Sequence, residues 1–191
     1  MSILDEGAGY KLIRETCRIL VRSTKYEETS FAILLMKAFE KSFTSRTFEE
    51  FEFWFMFGVK HLAHADVICA ELLAPMWKNG LIGFDQLESW KQAGNKLQRR
   101  SVPITLGHLI RDIKDIPGIL KFTESLLTDE SPEVIQGVGG LLYESWKTEP
   151  QHVLAFLEKS SKTDSERILM AMSERMTKKE KQLFTQHISQ G

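Results

Sequence analysis

The chain has 191 residues, of which 42% are hydrophobic and 27% are charged, a balance that excludes an intrinsically disordered protein. Its formal net charge is −1, so indiscriminate binding to nucleic acid is not expected, although a local basic groove is compatible with this value. Two cysteines without a partner motif, Cys17 and Cys69, predict a reducing compartment rather than a disulfide framework.

The first residues include acidic side chains and no apolar core, so no signal peptide is predicted. No segment reaches the roughly 20 apolar residues of a membrane span. His61 and His64 lie near Asp66 but lack the further ligands that zinc requires, and no cofactor motif is present. We therefore expect a cytoplasmic monomer without metal, cofactor or membrane contact.

Helical patterns fill the first half of the chain. Residues 11–22 combine an apolar side with a basic stripe, and residues 27–43 form a strongly apolar helix. Thr47 and Glu50 have the spacing of a capping box and precede an aromatic helix. A further helix is predicted from Asp66 to Lys78, ended by Asn79 and Gly80.

The second half repeats the same pattern with short turns. Helices are predicted over residues 85–93 and 98–113, and Pro117, Pro132 and Pro150 each suit the first turn of another helix. Two more capping boxes are predicted at residues 163–166 and 177–180. Helix pairs at a spacing of about 40 residues predict an all-α fold, a single α-solenoid domain of antiparallel HEAT-like pairs over residues 1–191.

Two basic stripes are candidates for contact with a phosphate backbone. The first follows residues 98–113 and includes small residues between its charges. The second lies on the first helix. Each stripe is also compatible with an ordinary solvated helix face. The members are Lys96, Arg100, Pro103, Gly107, Arg111 and Lys114 in the first, and Lys11, Arg14, Arg18 and Arg22 in the second.

The helix that begins at Pro132 carries Gly137, Gly139 and Gly140, and each glycine costs about 1 kcal/mol relative to alanine in a helix interior. Close packing of a neighbouring helix is one explanation. A shallow opening for a ligand is the other, and it is favoured by the polar residues on the face of Gly140. These are Gln136, Tyr143 and Lys147.

Asp66 follows Leu62 by one helical turn and has apolar neighbours in Cys69 and Leu73. A partly desolvated carboxylate suits the electrostatic stabilisation of a cationic transition state. The alternative is that Asp66 caps the helix that it begins.

Four segments, taken in order, resemble the DNA alkylation repair family, the AlkD-like alkylpurine DNA glycosylases. They are residues 26–35, Ala63-His64-Ala65-Asp66, residues 97–103 and residues 137–144. The family has a tryptophan, an aspartate, an arginine and a second tryptophan in slots that are occupied here by Leu62, Asp66, Arg100 and Gly140. Both tryptophan slots are therefore substituted.

This resemblance implies a superhelical fold that binds duplex DNA, including alkylated duplex, in a concave groove and excises N3- or N7-alkylated purines. It implies Asp66 as the catalytic carboxylate and Arg100 as the phosphate clamp. Because the leaving group is already cationic, one carboxylate is sufficient where ordinary glycosidases use two. The basic stripes and the glycine helix complete the predicted DNA-binding set, which adds Arg99, Lys96, Arg111, Lys114, Gln136, Tyr143 and Lys147.

Two classes of function stay open from the sequence. The first is a DNA alkylation repair protein that binds DNA and excises alkylated purines. The second is a non-catalytic HEAT-like scaffold that binds a protein partner. A positive concave surface around Asp66 and Arg100 favours the first class, and a neutral or apolar surface favours the second.

Overall fold

The computed structural model describes residues 6–158 and 162–190, and every regular element within these ranges is helical. The all-α class is therefore confirmed and is consistent with an α-solenoid. Within these ranges, no helix is long and apolar enough to cross a membrane. The chain folds into two compact units, Met1–Ser101 (unit 1) and Val102–Gly191 (unit 2). The single-domain organisation stays a prediction.

Unit 1 begins with two helices joined by a three-residue turn. These are α1 (Glu6–Arg22) and α2 (Tyr26–Ala38), which pack against each other as a helical hairpin. The aromatic helix α3 (Thr47–Phe57) packs on α1 and supplies Phe51, Trp54 and Phe55, all of them fully buried. A one-turn 3₁₀ helix (Glu40–Ser42) occupies the end of the segment predicted as one helix over 27–43.

The predicted helix over 66–78 is longer and contains a π-helical turn. It consists of α4 (Leu62–Ile68), the π turn (Cys69–Leu73) and α5 (Ala74–Lys78), and it ends at Asn79 and Gly80 as predicted. Gly80 has a φ of 69°, the left-handed conformation of a C-cap glycine. Pro75 lies in the first turn of α5 and cannot donate a backbone bond to the carbonyl four residues earlier, which is compatible with the π turn before it.

Helix α6 (Phe84–Lys91) completes the core of unit 1 through Trp90. The Trp90 ring stacks on Phe48 with centroids 4.7 Å apart, and its indole N–H donates to a Glu52 carboxylate oxygen at 2.9 Å. The boundary between the two units falls inside α7 (Lys96–Leu109). The predicted continuation of this helix to residue 113 is wrong, because the chain after Leu109 forms a turn in which the Ile113 N–H bonds the Leu109 carbonyl.

Unit 2 is built around α9 (Pro132–Thr148), which packs against α8, α10 and α11. The prolines at the starts of α8, α9 and α10 occupy the first turn, as predicted. Asp115 caps α8 by accepting a bond from the Gly118 N–H at 2.9 Å. The remaining bounds are Ile116–Thr123 for α8, Pro150–Leu157 for α10, Lys162–Ser173 for α11 and Lys178–Gln190 for α12, with a 3₁₀ turn at Glu124–Leu126.

The three predicted capping boxes have different outcomes. The box at 177–180 is confirmed, because the Thr177 N–H donates to Glu180 at 2.7 Å and the Glu180 N–H donates to the Thr177 hydroxyl at 3.3 Å. The box at Thr47 is wrong, because Thr47 is inside α3 and Arg46 occupies the N-cap position. The box at 163–166 includes side chains that lie outside the described residues.

Gly139 is where α11 approaches α9 most closely. A Cβ atom at Gly139 would lie 2.8 Å from the Ala171 Cβ atom and 2.8 Å from the Met172 backbone nitrogen. Gly107 is different, because a Cβ atom there would meet only the Leu141 Cα atom, at 3.7 Å. Gly139 is therefore required by helix packing, and Gly107 is not.

We predict that Gly139→Ala destabilises the protein by about 1–3 kcal/mol, because the added methyl group must push backbone atoms of α11. Gly107→Ala is the matched control. It adds the same methyl group in ordinary contact and gains up to about 1 kcal/mol of helix propensity. Urea unfolding of both variants measures the difference, and equal midpoints would contradict the packing explanation.

Candidate functional site: a paired aspartate and a cationic pocket

Asp66 and Arg100 lie together in unit 1. The Arg100 Nε atom donates to Asp66 Oδ1 at 2.9 Å, and its Nη2 atom donates to Oδ2 at 2.8 Å, so the pair is bidentate. The Arg100 side chain is 5% exposed, whereas the Asp66 side chain is 37% exposed. The arginine is thus buried behind the carboxylate, and the carboxylate faces solvent.

The helix-cap explanation for Asp66 is excluded by the position of α4. This helix begins at Leu62, and its N-cap residue is His61. Asp66 belongs to the second turn of the helix, one turn after Leu62, and both side chains are partly exposed. The leucine presents an aliphatic surface at the position that the resemblance assigns to a tryptophan.

Arg100 is held by unit 1 rather than displayed on a basic face. It is 4% exposed as a whole residue, and the two bonds described above direct its guanidinium toward Asp66. A π turn follows α4 directly, and the Cys69 thiol in this turn contacts the Ser101 carbonyl at 3.5 Å. In this arrangement Arg100 positions the Asp66 carboxylate. A phosphate contact by Arg100 stays a prediction.

The other predicted basic residues are distributed differently. Arg99 donates from Nη1 to the Ala93 carbonyl at 2.7 Å, so it binds the chain just after α6. Lys96 is exposed in the first turn of α7, whereas Arg111 and Lys114 are exposed in the segment after this helix. The predicted stripe is therefore not one continuous helix face.

The basic stripe of α1 neutralises a buried carboxylate. Glu50 is fully buried in α3, and both of its oxygens accept from the Arg18 Nε atom at 2.9 Å. Arg14 approaches Glu50 at 3.4 Å, and the Trp54 indole N–H donates to Glu50 at 3.1 Å. Arg22 lies over the Phe53 ring, 4.9 Å from its centroid. This stripe therefore has a structural role that the sequence analysis missed, although a glutamate among aromatic residues was a signal for it.

A polar aromatic cluster lies beside α4. The Tyr26 ring centroid is 4.2 Å from that of His64 and 5.3 Å from that of His61. The Ser30 hydroxyl and His64 Nε2 are 2.9 Å apart, and His64 is 3% exposed. Burial, with a smaller contribution from the charge of His61, lowers the pKa of His64. His64 is therefore a neutral residue of the core.

In unit 2, the residues predicted to share one face of α9 lie in different environments. Gln136 is exposed. The Tyr143 hydroxyl donates to Glu180 at 2.9 Å, and Lys147 lies over the Tyr143 ring at 4.6 Å while binding Glu144 at 2.6 Å. Burial and the bond to Glu180 raise the pKa of Tyr143. Tyr143 and Lys147 are thus engaged within unit 2.

Gly140 is buried beneath the side chain of Arg175. A Cβ atom at Gly140 would lie 2.9 Å from the Arg175 Cζ atom and 3.0 Å from its Nε atom. The space above this glycine is therefore neither open solvent nor the backbone of another helix. It contains a guanidinium group, and no sequence pattern indicated that Arg175 would lie here.

Gly140 and Arg175 line a pocket of about 320 Å³ with the end of α7 and the segment after it. Arg111, predicted from the first basic stripe, also lines this pocket, and so does His108, which the sequence analysis did not single out. Unit 2 therefore brings two arginines and a histidine to one cavity.

The family model for DNA alkylation repair enzymes matches residues 5–176, which is most of the chain. The chain belongs to the DNA alkylation repair family. No curated protein sequence matches it.

We predict that removing one partner of the Asp66–Arg100 pair destabilises the fold unequally. Asp66→Asn leaves a buried guanidinium without its counter-charge. Breaking a fully buried ion pair costs about 3–5 kcal/mol of folding stability, and this range is the upper limit for Asp66→Asn. Arg100→Met leaves a carboxylate that water can solvate, so it costs less. The double variant should recover part of the loss caused by Asp66→Asn. Strictly additive unfolding energies would contradict this coupling.

We predict a pH-dependent contribution from His64. Because its folded pKa is below the reference value of 6.5, the unfolded chain takes up a proton first as the pH falls. The stabilisation is complete above pH 6.5 and is lost as the pH falls toward the folded pKa. The Tm difference between the wild type and His64→Gln should therefore narrow from pH 7.5 to pH 5.5.

Proposed function

We propose that this protein binds duplex DNA and hydrolyses the N-glycosidic bond of N3- or N7-alkylated purines, with Asp66 as the catalytic carboxylate. The observation that supports this most directly is the bidentate pair, in which a buried arginine fixes a carboxylate that is still 37% exposed. Family membership over residues 5–176 supports the same reaction class.

The chemistry requires little beyond a fixed negative charge and water. An alkylated purine carries a positive charge and leaves as a neutral base, so no acid has to protonate it. As the glycosidic bond breaks, positive charge develops on the deoxyribose, and a carboxylate held nearby stabilises it. Arg100 occupies one side of the Asp66 carboxylate, and the exposed side faces solvent, where a sugar and an attacking water would approach.

Arg100 acts here as a positioning residue. A bidentate fork fixes both the direction and the rotation of the carboxylate, which a single hydrogen bond does not. The positive charge of Arg100 also reduces the net field that Asp66 exerts. The pair is therefore proposed to fix the orientation of the Asp66 carboxylate, although it also weakens the field that this carboxylate exerts on the sugar.

The two substituted slots predict a weak enzyme. Leu62 offers an aliphatic surface, and Gly140 offers no side chain. Stacking on an aromatic ring contributes about 1–3 kcal/mol per base in single-strand binding proteins. Losing one such contact in the transition state corresponds to a rate loss of about 5- to 150-fold.

The deciding experiment is release of 7-methylguanine from alkylated duplex under single-turnover conditions at 20 °C. We predict that Asp66→Asn lowers the release rate at least about 100-fold, because the charge is lost. Arg100→Met keeps the charge and should lower the rate less. The control Glu71→Gln changes another partly exposed carboxylate of the same helical stretch, which pairs with Lys37, and should leave the rate unchanged.

Stability has to be separated from catalysis in this experiment, because Asp66→Asn also unpairs Arg100. The double variant Asp66→Asn with Arg100→Met serves this purpose, since it removes the unpaired guanidinium. If its stability recovers while its activity is still absent, the carboxylate is catalytic. If activity recovers with stability, Asp66 is only structural and the proposal fails.

The second candidate function is a non-catalytic scaffold that binds a protein. Exposed apolar side chains of unit 1 favour it, because Ile19 on α1 is 72% exposed and Phe31 and Leu34 on α2 are 62% and 63% exposed. Failure of the wild type both to release 7-methylguanine and to bind duplex DNA would favour this candidate.

A further inference from the structure

The pocket of unit 2 concentrates positive charge without using it in the fold. Arg111 and Arg175 both line the pocket, and neither forms an ion pair within the part of the chain that the structure describes. The carboxylate of this pocket belongs to Glu144, whose Oε2 atom is 2.6 Å from the Lys147 ammonium. The pocket therefore contains two uncompensated guanidinium groups, and His108 adds a third nitrogen donor.

These arginines differ from the arginines of unit 1 that bind carboxylates. Arg14 and Arg18 bind Glu50, and Arg100 binds Asp66. Arg111 and Arg175 are exposed, yet they converge on one cavity rather than pointing to separate regions of surface. Like charges brought together without a counter-charge cost free energy, and an anion bound between them removes this cost.

Gly140 makes the position of Arg175 possible. A Cβ atom at residue 140 would lie 2.9 Å from the Arg175 Cζ atom, so any other residue there would require the flexible guanidinium to shift from this position. Gly107 forms another part of the lining and also lacks a side chain. The absence of a side chain at Gly107 allows a ligand to approach the helix backbone closely.

We propose that this pocket binds a phosphate group of a DNA strand, with Arg111 and Arg175 as the charged ligands and His108 as a further donor. The proposal rests on the proposed function, since it assigns the DNA backbone to this pocket. A guanidinium binds a phosphate through two parallel N–H donors, and a pocket of about 320 Å³ is large enough for the group with its attached sugar.

The same charge argues against an alkylated base in this pocket. N3- and N7-alkylated purines are cations, and Arg175 lies directly at the slot where the family has its second tryptophan. A guanidinium repels such a base and attracts the phosphate. In this protein the slot therefore contributes affinity for the backbone, without discriminating between alkylated and ordinary DNA.

The test is fluorescence anisotropy with an unmodified labelled duplex, from 50 to 200 mM salt. Arg175→Gln and Arg111→Gln should each weaken binding several-fold and lower the slope of log K against log salt by about one. The effect should be equal for alkylated and unmodified duplexes. Lys121→Gln, an exposed charge on α8 outside the pocket, is the matched control and should leave the slope unchanged.

A second pair of variants tests the position of Arg175 without removing its charge. Gly140→Ala requires the flexible guanidinium of Arg175 to shift, so it should weaken binding by no more than Arg175→Gln does and add nothing to that variant. Gly9→Ala adds a methyl group to α1, outside the pocket, where an added Cβ atom meets nothing within 4 Å, and it should keep the affinity and the salt slope of the wild type.

The outcomes separate this proposal from the proposed function. If the wild type binds duplex DNA and both arginine variants keep its affinity and slope, the pocket proposal is overturned while DNA binding stands. If Lys121→Gln has the same effect as the arginine variants, the pocket is not a specific site. If deoxyadenosine monophosphate binds the pocket as tightly as duplex does, the ligand is a free nucleotide and the assignment to DNA is wrong. No binding of any duplex overturns both proposals.

Discussion

A buried guanidinium requires a counter-charge, and this requirement organises the candidate site. Arg100 is 4% exposed, so its charge is removed from water at a cost of several kcal/mol. Without Asp66 this cost would not be offset by a counter-charge. The pair therefore fixes the first turns of α7 against α4, and it fixes the carboxylate at the same time. Fold stability and the direction of Asp66 depend on one interaction, so a change to either residue alters both properties.

The sequence predicted helix starts correctly where no tertiary contact competed with the local capping residues. The Thr177 box formed as predicted because Thr177 and Glu180 find their best partners in each other. The Thr47 box failed because both of its residues have tertiary partners. The Thr47 hydroxyl is 3.0 Å from that of Tyr10, and Glu50 is enclosed by Arg18 and Trp54. Local pattern alone cannot reveal partners that are more than 30 residues distant.

The candidate site was predictable to a similar extent. The resemblance identified Asp66 and Arg100, but a one-dimensional pattern does not show that the two side chains bind each other. The glycines of α9 illustrate the same limit, because close helix packing explains Gly139, whereas Gly140 lies neither against a helix backbone nor at an open groove. Gly139 lies against α11, whereas Gly140 lies under Arg175, 35 positions later in the chain. Adjacent glycines thus meet different constraints on different faces of one helix.

The distribution of the arginines has a consequence for affinity under the proposed function. A protein with net charge −1 gains little from long-range attraction to DNA, so its binding energy must come from local contacts. Stacking, which salt hardly affects, is reduced by Leu62 and Gly140. Under the proposed function, phosphate contacts, which release counterions, would instead come from Arg111 and Arg175, which form no ion pair within the described residues.

Binding would therefore rely on contacts between arginines and phosphates, whereas a relative with both tryptophans relies on aromatic stacking. Such binding is strongly salt-dependent and insensitive to the lesion, so any selectivity for alkylated DNA must arise at the bond-breaking step. Asp66 can act at this step, since a fixed carboxylate stabilises the developing sugar cation, and only a cationic base departs without prior protonation. Recognition of the backbone and recognition of damage are then assigned to different residues of the same chain.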